Sequence, residues 1–209
     1  MKRHKYTDNQ ISYVGKFVMD RIGSLILGIV LLFAVNALAA ETENYAVDPV
    51  HSTAFFKVGH YGFGSVRGGF TDISGMIAID KTGNTGSKVD IVIKARSIKT
   101  GNDKRDEHLK SQDFFDVKNF PNMGFKSRQV KKLSNSLYEV AGDFTLHGVT
   151  KSIKVQVKFI GEGKDHYNTY RAGFETEFSI KRSEYGMTKY IPAAGDKVDI
   201  TLIIEGTRK

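Results

Sequence analysis

Residues 153–159 read Ile-Lys-Val-Gln-Val-Lys-Phe, a strict alternation of apolar and polar side chains. Successive side chains of a β-strand point to opposite faces. The stretch therefore puts Ile153, Val155, Val157 and Phe159 on one face and Lys154, Gln156 and Lys158 on the other. A helix would scatter these residues around its axis, so the period of two decides for a half-buried strand. The rule extends in both directions. Ala172, Phe174, Phe178 and Ile180 alternate with Gly173, Glu175, Glu177 and Ser179. Val198, Ile200, Leu202 and Ile204 share a face, as do Tyr138, Val140, Phe144 and Leu146. Val89, Ile91 and Ile93 follow suit, then Ile77 with Ile79, and Ala54, Phe56, Val58 and His60.

Glycine-rich points separate these runs: Gly62 and Gly64, Gly68-Gly69, Gly83-Asn84, Gly161 to Gly163, and Gly195-Asp196. They read as turns, because glycine reaches the positive φ that tight turns need. The three prolines, Pro49, Pro121 and Pro192, fit strand starts or loops. About eight evenly spaced antiparallel strands predict an all-β barrel or sandwich. One stretch departs from the pattern. Asn102 to Asp113 (NDKRDEHLKSQD) is nearly all polar, with a capping residue at Asn102 or Asp103 and Asp106 one turn before Lys110. It predicts a short helix, held against one end of the sheet by Leu109 and Phe114.

The first forty residues are of another kind. Ile22 to Val35 (IGSLILGIVLLFAV) carries no charge, follows Lys2, Arg3, Lys5, Lys16 and Arg21, and precedes Ala37-Leu38-Ala39. Basic front, apolar middle and small-residue exit describe a secretory signal peptide over residues 1–39, cleaved after Ala39. Translation from Met19 would give a more compact leader. Retention of Ile22 to Ala40 as an anchor is the alternative, since that run approaches the roughly 20 residues that span a bilayer. Both readings export the remainder, residues 40–209, as one domain. The leader holds five of the 31 Lys/Arg and two of the 23 Asp/Glu, so 26 basic and 21 acidic residues remain. The net charge of +8 falls to +5, an ordinary soluble surface.

The catalytic inventory is thin. Without cysteine the chain has no disulfide, thiolate metal site or cysteine nucleophile. No His pair has metal-ligand spacing; only His51 and His60 offer a pair brought together by folding. No serine sits in G-x-S-x-G, and Arg67 stands where a dinucleotide loop after Gly62-x-Gly64 needs glycine. Arg105, Asp106 and His108 read as an ion-pair and capping set. Lysines alternating with apolar residues describe a solvated outer face, not a nucleic-acid surface. What is abundant is apolar side chain, including 14 Phe and no Trp. An eight-stranded barrel either fills with its own side chains or holds one small ligand, and these inward residues fit both.

Several motifs together resemble the YceI-like family (UPF0312 type), the lipid- and polyisoprenoid-binding proteins of bacterial periplasms. They are His51-Ser52 with Phe56-x-x-x-His60; Phe70 with Gly75; Arg105-Asp106-x-His108-Leu109 with Asp113-Phe114-Phe115; Phe120-Pro121 with Phe125; Gly142 to Lys151 (GDFTLHGVTK); Arg182 to Met187 (RSEYGM); and Asp196-Lys197-Val198. The resemblance runs from about Tyr45 to Thr207. It implies a lipocalin-like antiparallel β-barrel of about eight strands with one short helix, holding a long isoprenoid, quinone-like or fatty chain in an apolar tunnel. It implies no catalytic residue, no metal and no cofactor other than such a lipid. The inward positions then become tunnel-wall candidates: Phe56, Val58, Ile77, Ile91, Phe125, Phe144, Leu146, Phe174, Phe178 and Ile200, with His60 or Tyr185 near the head group. The expected setting is the periplasm, with an apolar lipid as partner, transient membrane contact and a homodimer. A lipid-modifying enzyme is the second class, and would place histidines and carboxylates inside the barrel. A protein-interaction module of stress response or secretion is the third, and would expose a contiguous apolar patch.

Overall fold

The computed structural model describes residues 42–82 and 86–209, all within one unit, Ala40–Lys209. The signal-peptide reading of residues 1–39 and the turn read at Gly83-Asn84 lie outside the described residues. Eleven strand segments form one antiparallel sheet: β1 (Thr42–Val47), β2 (Thr53–His60), β3 (Gly64–Phe70), β4 (Ile73–Asp80), β5 (Lys88–Lys94), β6 (Ile98–Lys99), β7 (Asn122–Lys132), β8 (Leu137–Leu146), β9 (Val149–Lys164), β10 (Tyr170–Lys181) and β11 (Ala194–Arg208). A helix, α1 (Asp103–Lys110), follows β6.

These segments make eight staves, as the sequence predicts. The order β1-β4-β5-β7-β8-β9-β10-β11 closes on itself, because β11 also pairs with β1. β2 pairs with the other half of β11, so β1 and β2 are two parts of one stave. The break lies at residues 48–52, where the register jumps from Val47↔Gly206 to Thr53↔Ile203 and Ser52 Oγ bridges to the backbone of Glu205. The next two staves break likewise: β3 pairs with β2 and β4 with β1, β6 with β3 and β5 with β4. Beyond β6 the helix and its following turns replace strand pairing. There Leu109 and Phe115 pack on the core, Phe115 edge-on to Phe70 at 5.3 Å.

The helix start is as predicted: the Asn102 side chain accepts a hydrogen bond from the Arg105 N–H. The predicted Asp106–Lys110 contact is not made. Lys110 pairs with Glu107, while Asp106 turns inward and accepts from Thr100 N and Oγ1 at 2.9 and 2.6 Å. Three expected turns also differ. Gly68-Gly69, Gly161 to Gly163 and Gly195-Asp196 lie inside β3, β9 and β11, the latter two beside register shifts. At Gly68 the reason is close approach: a Cβ there would lie 2.6 Å from Phe56 Cζ. Only glycine lets that ring lie flat across the neighbouring strand.

Candidate functional site

The inward faces of the staves enclose a cavity of about 520 Å³, within the range of small-molecule sites. The alternation explains the wall. Phe56 and Val58 of β2, Val155 and Val157 of β9, Phe174 and Phe178 of β10, and Val198, Ile200, Leu202 and Ile204 of β11 all line it. Two hydrogen-bonded rows show the close fit: Ala54↔Leu202↔Thr176↔Val157↔Tyr138, and Gly68↔Phe56↔Ile200↔Phe178. Thr176 is the polar intruder, and its hydroxyl is satisfied by the Gln156 carbonyl at 2.7 Å.

One end of the barrel is a floor tied by charge. Tyr45, fully buried, directs its hydroxyl at Glu43 (2.7 Å) and Glu162 (2.9 Å). Lys81 spans the same two carboxylates, and Arg208 pairs with Glu43 at 2.8 Å. Burial, then the two carboxylates, drive the Tyr45 pKa well above the ordinary tyrosine value. Burial alone would raise Glu43, but the Tyr45 hydroxyl and Lys81 hold it below the usual carboxylate range. Tyr138 lines the cavity close to this cluster.

The other end is a mouth of aromatic and cationic side chains. His60 and Tyr61 come from the end of β2, Arg105 and His108 from α1, Phe114 from the turn after it, and Tyr190 and Ala193 from the loop before β11. Phe114 and Tyr190 stack at 5.6 Å, with the His108 ring edge-on to both. Arg182 holds the loop in place. Its guanidinium donates to the carbonyls of Gly195, Met187, Lys189 and Ala194 at 2.7–2.9 Å. Burial pushes its pKa below the ordinary arginine value.

Of the twelve residues singled out from the sequence, Phe56, Val58, His60, Ile77, Ile91, Phe125, Phe144, Leu146, Phe174, Phe178 and Ile200 contribute to the wall. Tyr185 does not reach it. It ends the 3₁₀ turn Arg182–Tyr185, where the period of two no longer applies, and its ring packs on Phe144 at 5.6 Å. The sequence reading missed Arg105. Among the described residues it forms no ion pair; its Nε and Nη2 donate to Thr100 Oγ1 and O. A signal was available: its neighbours three and four residues away are Asn102, Gly101, His108 and Leu109, none acidic.

His51 and His60 stand at opposite ends of β2 and do not meet. Asp48, His51 and Glu205 come close enough to share an ion, but Arg171 Nη1 already lies 2.6 Å from both Asp48 Oδ2 and Glu205 Oε1. Burial would raise the Asp48 carboxyl; hydrogen bonds from His51, Arg171 and the Val50 N–H instead hold it well below its usual range. His147 bonds the Tyr185 carbonyl at 3.1 Å. Ser87 on the wall accepts from the Asp80 N–H. Among the described residues the wall carries no paired nucleophile and base.

A closed eight-strand antiparallel barrel around an apolar lumen, floored at one end and open at the other, defines a small lipocalin-like binding barrel. The chain belongs to the YceI-like family, whose domain matches residues 45–206. It is 35% identical over 190 residues to a UPF0312 protein of Azotobacter vinelandii (90% of this chain, 97% of the relative) and 36% over 192 residues to one of Ectopseudomonas mendocina (91% and 98%). Among solved structures it is similar to a Campylobacter jejuni YceI protein at 31% identity and TM-score 0.62, over 69% of this chain and 85% of that one. Its fold is also that of Burkholderia cenocepacia BcnA (21% identity, TM-score 0.68, 76% and 98% coverage). A polyisoprenoid binding domain of Saccharophagus degradans shares it too (18%, 0.61, 79% and 98%).

Proposed function

We propose that the protein is an exported, periplasmic carrier that holds one long apolar chain, isoprenoid, quinone-like or fatty, inside the barrel for storage, transport or sequestration. The observation that carries this reading is the cavity. Its wall is predominantly apolar from the mouth at Val58 to the floor at Ile79 and Tyr138, and apart from Glu175 its charged groups gather at the mouth. Burying a methylene is worth about 0.8 kcal/mol, so ten carbons give roughly 8 kcal/mol, a micromolar affinity before ordering costs of several kcal/mol. A tunnel of this kind rewards chain length. The binding activity named for the Saccharophagus degradans domain agrees with the same ligand class. Export rests on the composition of residues 1–39.

The test is native mass spectrometry, with organic extraction, of protein recovered from the periplasm. A bound species of long apolar chain, and a mass beginning after Ala39, are expected. Empty protein that also fails to take up a prenol or fatty alcohol would overturn the carrier; absence from the periplasm would overturn the export.

A further inference from the structure

Four large apolar side chains stand in solvent at the mouth. Phe63 is 95% exposed, Tyr61 60%, Tyr190 51% and Ile191 39%. They come from two tips distant in sequence, the β2–β3 hairpin and the loop before β11, joined by a hydrogen bond from Tyr61 N to the Ala193 carbonyl (2.8 Å). A hairpin tip is where polar turn residues are favoured, yet this one reads Tyr-Gly-Phe. The backbone adds to the anomaly. Tyr61 and Tyr190 both lie in the left-handed region, at φ 50° and 62°, which bulky side chains avoid and which persists where the surroundings impose it. Both tyrosines also line the cavity, so the patch continues into the lumen.

Charge flanks the patch on its strands and loop. Lys57 and Arg67 face each other across β2 and β3, and Lys181, Lys189 and Lys197 follow on β10, the loop and β11. Three carboxylates stand among them: Asp113 lies 3.8 Å from Lys189, Asp199 lies 3.0 Å from Lys197 and opposite Lys57, and Asp196 accepts from Ser183. The result is a small apolar wedge in a collar where five cations outnumber three carboxylates, with Arg67 and Lys181 outside the ion pairs of Lys189 and Lys197.

From this geometry we infer that the mouth docks on the surface of an anionic lipid bilayer, with Phe63 and the rim tyrosines seated among the headgroups and the lumen opening toward the lipid. Tyrosine and other aromatics suit that layer, where one end is apolar and the other wet, and lysines near it are drawn to anionic headgroups. Four side chains on two tips fall short of the roughly 800 Å² per partner of a standard protein–protein interface. They suit a deformable surface instead. The inference rests on the carrier reading, because docking places the cavity against the phase in which a long apolar chain dissolves.

Flotation of the exported protein with phosphatidylglycerol–phosphatidylethanolamine vesicles, against phosphatidylcholine vesicles, tests it. The protein is expected to float with the anionic vesicles and to be released by salt. Phe63→Asp should lower the floated fraction at least tenfold, and Lys57→Gln with Arg67→Gln should weaken anionic binding alone. None of these residues lines the cavity, so chain uptake in detergent should be unchanged and reports folding. Wild-type protein that takes up a chain but does not float overturns the docking and leaves the carrier standing. Protein that takes up no chain overturns the carrier. Variants that float like the wild type, or a Phe63→Asp change that converts a dimer to monomer by light scattering while flotation persists, reassign the patch to self-association and overturn the docking.

Discussion

Ala54 gives the sharpest test of the tunnel. It is the smallest inward residue in the row Ala54↔Leu202↔Thr176↔Val157↔Tyr138. Tyr138 stands by the floor, four strands away. With strands about 4.8 Å apart and tilted by roughly 40°, such a row climbs about 12 Å along the barrel axis. His60, at the mouth, lies six residues further along β2, which adds about 15 Å on the same axis. Ala54 thus marks the midpoint of the lumen, and because it lines the cavity Ala54→Phe puts a ring across it. In the wild type, affinity for primary alcohols of rising chain length should grow about fourfold per methylene until the tail reaches Tyr138. In the variant the slope should be the same and the plateau should come at about half the length. Each five carbons excluded forfeits about 4 kcal/mol, near a thousandfold, less the ordering entropy an unbound tail keeps. Competition against a fluorescent fatty chain measures both quantities, with circular dichroism confirming the fold. A wild type without a length slope, or a variant whose plateau does not move, would refute the reasoning.

Three other perturbations follow from the two ends. Tyr45→Phe removes a buried hydroxyl bonded to carboxylates and should cost about 1.5 kcal/mol in urea unfolding, with ligand affinity unaltered; a loss under about 0.5 kcal/mol would deny the floor its role. Because the folded Tyr45 pKa is raised, its contribution is full below the unfolded value near 10 and is lost as pH rises through the folded one. The wild type should therefore weaken at alkaline pH more than Tyr45→Phe does, and parallel curves would contradict this. Leu109→Ala should loosen α1 over the mouth and speed ligand dissociation measured by stopped flow, whereas an unchanged off-rate argues against a lid. Arg105→Met should reduce the preference for a fatty acid over the alcohol of equal length by roughly tenfold, with equal losses for both ligands pointing to a structural role alone.

The barrel wall was legible because a period of two survives without knowledge of neighbours. Phe144, Phe174 and Ile200 face inward whatever strand lies beside them. The ends were less legible, for separate reasons. Tyr61, Phe114 and Tyr190 sit on turns, where no period assigns a face. The floor joins Tyr45 to Glu162, 117 residues apart, and only closure of the sheet brings them together. Glycines misled for a local reason: at Gly68 the need is room for Phe56, which is a tertiary fact, while the sequence offers only the turn preference. Arg105 was misread as one of an ion-pair set with Asp106, which does not lie at helical spacing from it. The staves broken at residues 48–52 went unseen because each half alternates correctly by itself.

The asymmetry of the two ends fixes how a chain can sit. The floor cluster holds Glu43, Tyr45, Lys81, Glu162 and Arg208 in mutual contact. Passing a polar group there would displace the fully buried Tyr45 and break its hydroxyl bonds to Glu43 and Glu162. In the proposed carrier a chain would enter at the mouth, tail first, with its polar end near Arg105, His60 and His108. The free energy of insertion would then grow with each carbon passing Phe56 and Ile200, while the head group would meet only the rim. On the proposed reading, selection by this barrel would be a measurement of apolar length against the distance from mouth to floor. A head group would contribute through a guanidinium already spending two donors on Thr100, which would bias the choice among chains long enough to reach Tyr138 without rescuing a short one.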